Sequence, residues 1–199
     1  MKKLLIGTTN PSKFKTMASQ LEGLPVNIVS PIDLGLRITA PEDDRTADGN
    51  ALQKARAWHE ATDLPVVTED SGLLFLDLPP DHPDQPGVWV RRAAGHEMTD
   101  EEMFDWFSAL AHRHGGKLRA VWQDAWCLMR DGAHYAIYTD SPEELEPWAF
   151  WMVDTPVHDE DLPGWPLERI IIRSEQNTPG SKWHRERFRA WLWEQINAL

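Results

Sequence analysis

The segment Thr68-Glu69-Asp70-Ser71-Gly72-Leu73, directly behind the apolar run Leu64-Pro65-Val66-Val67, constrains this chain more than any other stretch. The run reads as a short buried strand over 65–68, and two acids followed by Ser-Gly read as a turn that ends it. Ligands of α/β sheets collect beyond strand ends. Neighbouring strand residues point to opposite faces, so Glu69 and Asp70 are expected to do different jobs. One would hold a metal or a water while the other orients a loop.

The pattern around it alternates between strand and helix. Lys2–Gly7 reads as a first buried strand and Asn10-Pro11 as a helix start, with Asn as N-cap and Pro at the first helical position. Phe14, Met17, Ala18 and Leu21 keep helical spacing. Val26–Val29 is a second strand, 32–48 a loop, and Asn50–Ala61 a second helix with Ala51, Ala55 and Trp58 on one face. Leu78–Pro86 is a Pro-rich surface loop, Gly87–Ala94 a short helix and Asp100–His112 a longer one. Leu118–Met129 and Ala133–Thr139 flank an Asp131-Gly132 hairpin turn. The stretch 143–166 is hard to assign. Ile170–Ile172 reads as a strand and Ser181–Leu199 as a last helix, with Phe188, Trp191, Leu192, Gln195 and Ile196 on its buried side. The length, 199 residues, suits one domain over 1–199.

Composition narrows the function. A net charge of −12 opposes binding of long DNA or RNA, whose phosphate backbone needs a basic surface. A small anionic substrate is compatible if a metal and local Lys or Arg residues offset that field. The single cysteine, Cys127, excludes an internal disulfide and lies in an apolar segment, as a core thiol would. The N-terminal apolar run stops at Gly7, too short for a secretion signal or a membrane span. A cytoplasmic location without membrane association is expected.

Several pieces bear on binding. The loop Gly7-Thr8-Thr9-Asn10-Pro11-Ser12-Lys13 joins a strand to a helix N-terminus, where free N–H groups and the helix dipole favour anions. Thr8, Thr9 and Lys13 add donors. Asn50 and Lys54, four apart, lie on one helix face and present an amide and a cation towards phosphates, while Glu42 reaches a divalent ion. Mg²⁺ takes few protein oxygens and completes its shell with phosphates. Trp165, in Gly164-Trp165-Pro166, can stack on a base, and Lys182-Trp183-His184-Arg185 offers anion or base-edge donors. Each piece alone also reads as a capped turn, a solvated face or a core tryptophan.

In order, the pieces resemble the inosine triphosphate pyrophosphatase family of the Ham1 type. Thr8-Thr9-Asn10-Pro11-Ser12-Lys13 is similar to its opening Thr-Gly-Asn-x-x-Lys, with Thr9 for the glycine. Pro41-Glu42, Asn50-Ala51 and Lys54-Ala55 match its next motif, and Glu69-Asp70-Ser71-Gly72-Leu73 its acidic pair. Pro86-Gly87-Val88 with the Arg residues and Ala94-Gly95 behind it matches a fourth. The second half departs: Pro166 stands where the family has a base-reading Asp after the aromatic residue. Only His184-Arg185 remains of Ser-His-Arg, and Gly49 replaces an acidic residue before Asn50.

The resemblance implies an α/β fold with a long, mixed, twisted sheet, flanking helices and two lobes around a nucleotide-binding cleft. It implies Mg²⁺-dependent hydrolysis of a nucleoside triphosphate to monophosphate and pyrophosphate, and a homodimer. Asp70, Lys13 and Glu69 become the catalytic groups, with Asp70 on the attacking water and Glu42 and Asp70 on the metal. Thr8, Thr9, Asn10, Asn50, Lys54, Ser71, Gly72, Trp165, Lys182, His184 and Arg185 become the substrate contacts. The lost Asp leaves open a related pyrophosphatase of different base choice, and a non-catalytic nucleotide binder on the same fold. The tryptophans Trp89, Trp106, Trp122 and Trp126 are expected partly at the dimer interface.

Overall fold

In a computed structural model of the chain, the described residues are 2–158, 164–173 and 182–198, the side chains of 182–185 excepted. The fold is mixed α/β. A seven-stranded sheet has the order β2-β1-β3-β4-β6-β7, with β5 paired to β4. The strands are β1 Lys2–Ile6, β2 Val26–Val29, β3 Val66–Phe75, β4 Lys117–Met129, β5 Tyr135–Thr139, β6 Phe150–Val153 and β7 Ile171–Arg173. The helices are α1 Pro11–Leu21, α2 Ala47–Thr62, α3 Asp100–Arg113, the single turn α4 Pro142–Leu145, and α5 Lys182–Asn197. The chain divides into two compact units: Met1–Ser71, Asp124–Thr139 and Gly180–Leu199 form the first, Gly72–Gln123 and Asp140–Pro179 the second.

In the first unit β1 runs parallel to both β2 and β3. Alternation along β1 sends Leu4 and Ile6 to one face and Leu5 to the other. The first face packs Met17 and Leu21 of α1 with Val67, Trp126, Leu128 and, from α5, Phe188, Leu192 and Ile196. The second packs Leu5, Val29 and Val66 under Trp58 of α2. The two crossover helices therefore cover opposite faces. From β1 the chain turns one way to β2 and then passes back to β3, a topological switch of the kind that opens a crevice at the carboxyl ends of strands.

The start of α1 is as expected from sequence, whereas α2 begins three residues earlier than expected. The Asn10 side chain accepts from the N–H groups of Ser12 and Lys13, and Thr46 caps α2 by accepting from Gly49. The buried side of α5 is as expected for Phe188, Leu192 and Ile196; Trp191 and Gln195 are half-buried, and Gln195 accepts from Arg130 at 2.6 Å.

The second unit has its own core. Leu73, Phe75, Met103, Phe107, Leu110, Leu118, Phe150, Met152, Leu167 and Ile170 pack together between α3 and the β4–β6–β7 strands. β4 pairs antiparallel with β6, and β6 with β7. α3 opens with a capping box, Thr99 and Glu102 bonding each other's backbone.

Two expectations need correction. The Glu69-Asp70-Ser71-Gly72 segment does not end the strand: β3 runs through it to Phe75. The helix expected over Gly87–Ala94 shrinks to a 3₁₀ turn, Val90–Arg92. Of the four tryptophans expected partly at an interface, Trp126 packs in the core of the first unit, 4% exposed, with its ring 4.0 Å from that of Phe188. Trp106 and Trp122 also pack against a core, and Arg92 lies over Trp89 at 4.5 Å. Among the described residues, β6, in the stretch that resisted assignment, is the one strand not expected from sequence.

Candidate functional site

The polar groups of the first unit converge where β1 stops. β1 pairs with β3 only as far as Ile6 opposite Val67. Beyond that point β3 continues alone on this side, carrying Glu69, Asp70 and Ser71 past the loop that leads into α1. Gly7 turns that loop: an added Cβ would come 2.6 Å from Trp58 and 2.8 Å from Thr68, so only glycine fits between β1 and the packed α2 face.

The period-2 geometry of β3 splits its acids as expected. Glu69 joins Val67 and Ser71 on the α1 side; Asp70 joins Val66 and Thr68 on the α2 side. Lys13 Nζ lies 2.9 Å from Glu69 Oε2 and donates to Ser71 Oγ at 3.4 Å. Burial alone would pull the Lys13 ammonium down, but Glu69 above all, then Asp70 and Asp124, hold it above the ordinary lysine value. Lys13 is therefore a cation throughout the neutral range.

On the other side Asp70 is the centre. Lys54 Nζ lies 2.6 Å from Asp70 Oδ1 and 3.3 Å from Glu42 Oε1, and donates to the Glu69 carbonyl at 3.5 Å. Asn50 Nδ2 donates to Asp70 Oδ2 at 3.1 Å. The i, i+4 spacing of Asn50 and Lys54 thus places an amide and an ammonium on one carboxylate. Both Asp70 oxygens are held, yet each keeps acceptor capacity for a water.

The loop carrying Glu42 is pinned from α2. Asp43 and Gln53 exchange hydrogen bonds, N–H to Oε1 at 3.3 Å and Nε2 to Oδ1 at 2.8 Å. The Asp44 N–H donates to Asn50 Oδ1 at 3.0 Å, and the Asp44 carboxylate accepts from the N–H and hydroxyl of Thr46, which holds its pKa down. That carboxylate fills the space a side chain at Gly49 would need, so glycine at 49 is a packing requirement. Asp48 beside it is pushed up by burial and by the Asp44 charge.

The α1 N-terminus is not the free anion site the sequence suggests. Pro11 has no N–H, and the Asn10 side chain takes the next two. Thr8 Oγ1 accepts from the Asn10 N–H at 3.2 Å. An anion here would meet hydroxyls and the Lys13 ammonium rather than open helix amides. Thr9 and Asn10 are exposed.

Of the remaining expected contacts, Gly72 and Trp165 belong to the second unit. Gly72 lies against the Gly87 backbone, where a Cβ would approach at 3.1 Å. Trp165 is 46% exposed. Lys182, His184 and Arg185 open α5, and their side chains lie outside the described residues.

The sequence reading missed Asp124 on β4, whose charge reaches Lys13, as well as Asp43, Asp44 and Gln53, which fix the Glu42 loop. It also missed Asp100, which accepts from the Gly164 N–H at 2.9 Å and from Arg91 at 2.8 Å, next to Trp165. Asp43, Asp44 and Gln53 stand between the matched positions of the 41–55 segment, while Asp100 and Asp124 lie outside the motifs.

Among the described residues no three His, Cys, Asp or Glu side chains gather into a metal cage. A Mg²⁺ ion nevertheless fits the donor set. Glu42 and Asp70 already converge on one cation, the Lys54 ammonium, and Mg²⁺ needs only one or two carboxylates beside phosphate oxygens and water.

Residues 4–140 match the Ham1 family. The dITP/XTP pyrophosphatase of Thermoanaerobacter pseudethanolicus is 38% identical over 100 residues, 50% of this chain and 48% of that protein. That of Anaeromyxobacter dehalogenans is 32% identical over 146 residues, 59% of this chain and 62% of that protein. The matches span about half the length of these curated relatives. A HAM1 protein from Coxiella burnetii superposes with a TM-score of 0.73 at 20% identity over the whole of both chains. The Staphylococcus aureus Ham1 protein gives 0.70 at 17%, covering 99% of each. Fold and sequence together make the chain a member of the Ham1 family.

Proposed function

We propose that residues 1–199 act as one domain, a Mg²⁺-dependent nucleoside triphosphate pyrophosphohydrolase. It cleaves a non-standard purine triphosphate, ribo or deoxy, between the α- and β-phosphates, giving monophosphate and pyrophosphate. The convergence of Asn50, Lys54 and Glu42 on Asp70 carries this reading. The names of the dITP/XTP pyrophosphatase relatives support the substrate class.

The chemistry asks for a water in line with the α-phosphorus and for charge compensation on the leaving pyrophosphate. Asp70, fixed by Asn50 and Lys54, orients that water and takes its proton. Lys13, Lys54 and the hydroxyls of Thr8 and Thr9 hold the phosphates, with Asn10 and Ser71 at the edge. Glu69 holds Lys13 in place through their ion pair. Glu42 and Asp70 hold Mg²⁺, which when bound offsets the charge that develops on the leaving group. Trp165 stacks on the base, with Lys182, His184 and Arg185 as further donors. A Mg²⁺-dependent pyrophosphate-release screen over inosine, xanthosine, guanosine, adenosine and pyrimidine triphosphates tests the reading. Release from at least one of them is expected, and binding without release from any is the result of a non-catalytic binder.

A second reading, of looser base choice, is favoured by the turn after Trp165. Pro166 is buried beside Leu167 and carries no polar group. Of the carboxylates that could take over from the lost Asp, Glu168 is engaged by both Nη atoms of Arg173, and Asp161 lies outside the described residues. A site without a base-reading partner discriminates less, whereas stacking accepts any base. Comparable kcat/KM for inosine and guanosine triphosphates in the same screen is the outcome this reading expects. A strong preference for hypoxanthine and xanthine removes it.

The family resemblance also supports a homodimer, which light scattering at micromolar concentration checks. Among the described residues no helix is long and apolar enough to cross a membrane. A cytoplasmic location is the reading we adopt, in keeping with the buried, unpaired thiol of Cys127, which burial pushes up to about 12.

A further inference from the structure

We infer that Lys54 stands in the place of the metal between Glu42 and Asp70, so that the divalent cation enters this site together with the triphosphate and not ahead of it. The inference rests on the pyrophosphohydrolase reading and adds an order of binding to it.

The Lys54 ammonium has three donors and faces three oxygens, two from adjacent residues of β3 and one from the Glu42 loop. These are Asp70 Oδ1 at 2.6 Å, Glu42 Oε1 at 3.3 Å and the Glu69 carbonyl at 3.5 Å. Those carboxylates are the oxygen ligands a hard cation would take. The acids themselves are already placed. Asn50 holds the second oxygen of Asp70, and the Asp43–Gln53 and Asp44–Asn50 bonds fix the backbone on the C-terminal side of Glu42. What must change on metal binding is the cation, not the ligands.

A divalent ion arriving alone would have to expel Lys54. The Lys54 side chain is only 11% exposed and that of Asp70 10%. The expelled ammonium would remain near a doubly charged ion, enclosed on the Asp70 side and open to water on the side of Glu42, which is 47% exposed, with its two partners removed. Like charges a few ångströms apart in such surroundings repel. A triphosphate reverses the balance: its oxygens offer the displaced ammonium a new partner and complete the shell of the metal. The exchange of Lys54 from carboxylates to phosphates then accompanies metal entry.

Mn²⁺ serves as the probe, its binding to the intact protein followed by electron paramagnetic resonance. It is measured with the metal alone and with the α,β-methylene analogue of deoxyinosine triphosphate. The wild type should bind Mn²⁺ weakly alone and at least about tenfold more tightly with the analogue. Lys54→Met should bind Mn²⁺ alone at least about tenfold more tightly than the wild type and lose most of the dependence on nucleotide. Lys15→Met, an equal change of charge at an exposed position on α1, should behave as the wild type. If Lys54→Met fails to fold, Lys54→Gln takes its place. Equal Mn²⁺ binding by the wild type with and without the analogue would overturn the exchange while leaving the hydrolase reading standing. So would a gain in Lys54→Met no larger than that in Lys15→Met. Absence of Mn²⁺ uptake by the wild type even with the analogue, together with no pyrophosphate release from any triphosphate, would remove the hydrolase reading itself.

Discussion

The two faces of β3 carry the same ingredients and use them differently. On the α1 face Lys13 and Glu69 form one pair at 2.9 Å, with the lysine side chain 26% exposed. On the α2 face Lys54 and Asp70 lie at 2.6 Å, both about one-tenth exposed, with Asn50 on the second oxygen and Glu42 on the same ammonium. In the function proposed above, the first arrangement serves as a counter-ion for a lysine that holds phosphate. The second is an over-determined carboxylate, fixed in orientation and ready to accept from a water. A single strand separates the two roles because its side chains alternate.

The sharpest break of that comparison is Asp70→Asn. It keeps shape and removes the charge, so kcat should fall by ~10²–10⁴-fold, as loss of general-base assistance does. The thermal unfolding midpoint checks that the fold survives. Glu42→Gln comes next: the Mg²⁺ concentration needed for half-maximal rate should rise by about tenfold, with kcat at saturating Mg²⁺ largely kept. A metal titration of initial rates reads this directly. Were Glu42→Gln to lower kcat at all Mg²⁺ concentrations instead, Glu42 would belong with the water and not with the metal.

Glu69→Gln should cost less, a rise in KM of no more than about tenfold, because Lys13 keeps its charge at neutral pH. This variant also has a pH signature. In the folded protein the Lys13 pKa lies above its ordinary value of 10.5, so the pairing stabilises fully below that pH and is lost as pH rises through the folded value. Wild-type thermal stability should decline above pH 10.5, and Glu69→Gln should flatten that decline. A loss in kcat as deep as that of Asp70→Asn would erase the distinction between the faces. The smallest effect is expected for Gln53→Leu, which frees Asp43 and loosens the Glu42 loop. A rise of roughly two- to threefold in the Mg²⁺ requirement is expected, from loss of about one exposed hydrogen-bonded pair.

Much of the site is legible in the sequence because it depends on local geometry. The spacing of Asn50 and Lys54 puts them on one side of a helix wherever that helix lies, and both meet Asp70. Asn10-Pro11 specifies a capped start by its own chemistry, and the same cap consumes the N–H groups a sequence motif would leave open to an anion. The continuation of β3 was not legible. Glu69-Asp70-Ser71-Gly72 has poor strand propensity and good turn propensity, and only partners distant in sequence hold it extended: Lys13 is 56 residues before Glu69, and β4 runs alongside. β6 was hidden for a related reason. Phe150–Val153 is four residues long and gains its identity from pairing with β4 and β7.

The sequence alone determined the alternation of strands and helices, the Asn10 cap and the buried faces of α1, α2 and α5, which follow from periodicities of 2 and 3.6 and from residue chemistry acting over a few positions. The grouping of Asp70, Lys54, Asn50 and Lys13 into a common chemistry is what the family resemblance implies. Tertiary structure decided which lysine meets which acid, and that Asp44 takes the room beside Gly49. It also decided that Asp100 reaches Gly164 and that the acidic segment remains strand. Those outcomes depend on the chain's return to the same place from far along its length, where Coulomb attraction and close packing select among partners that spacing alone leaves equivalent.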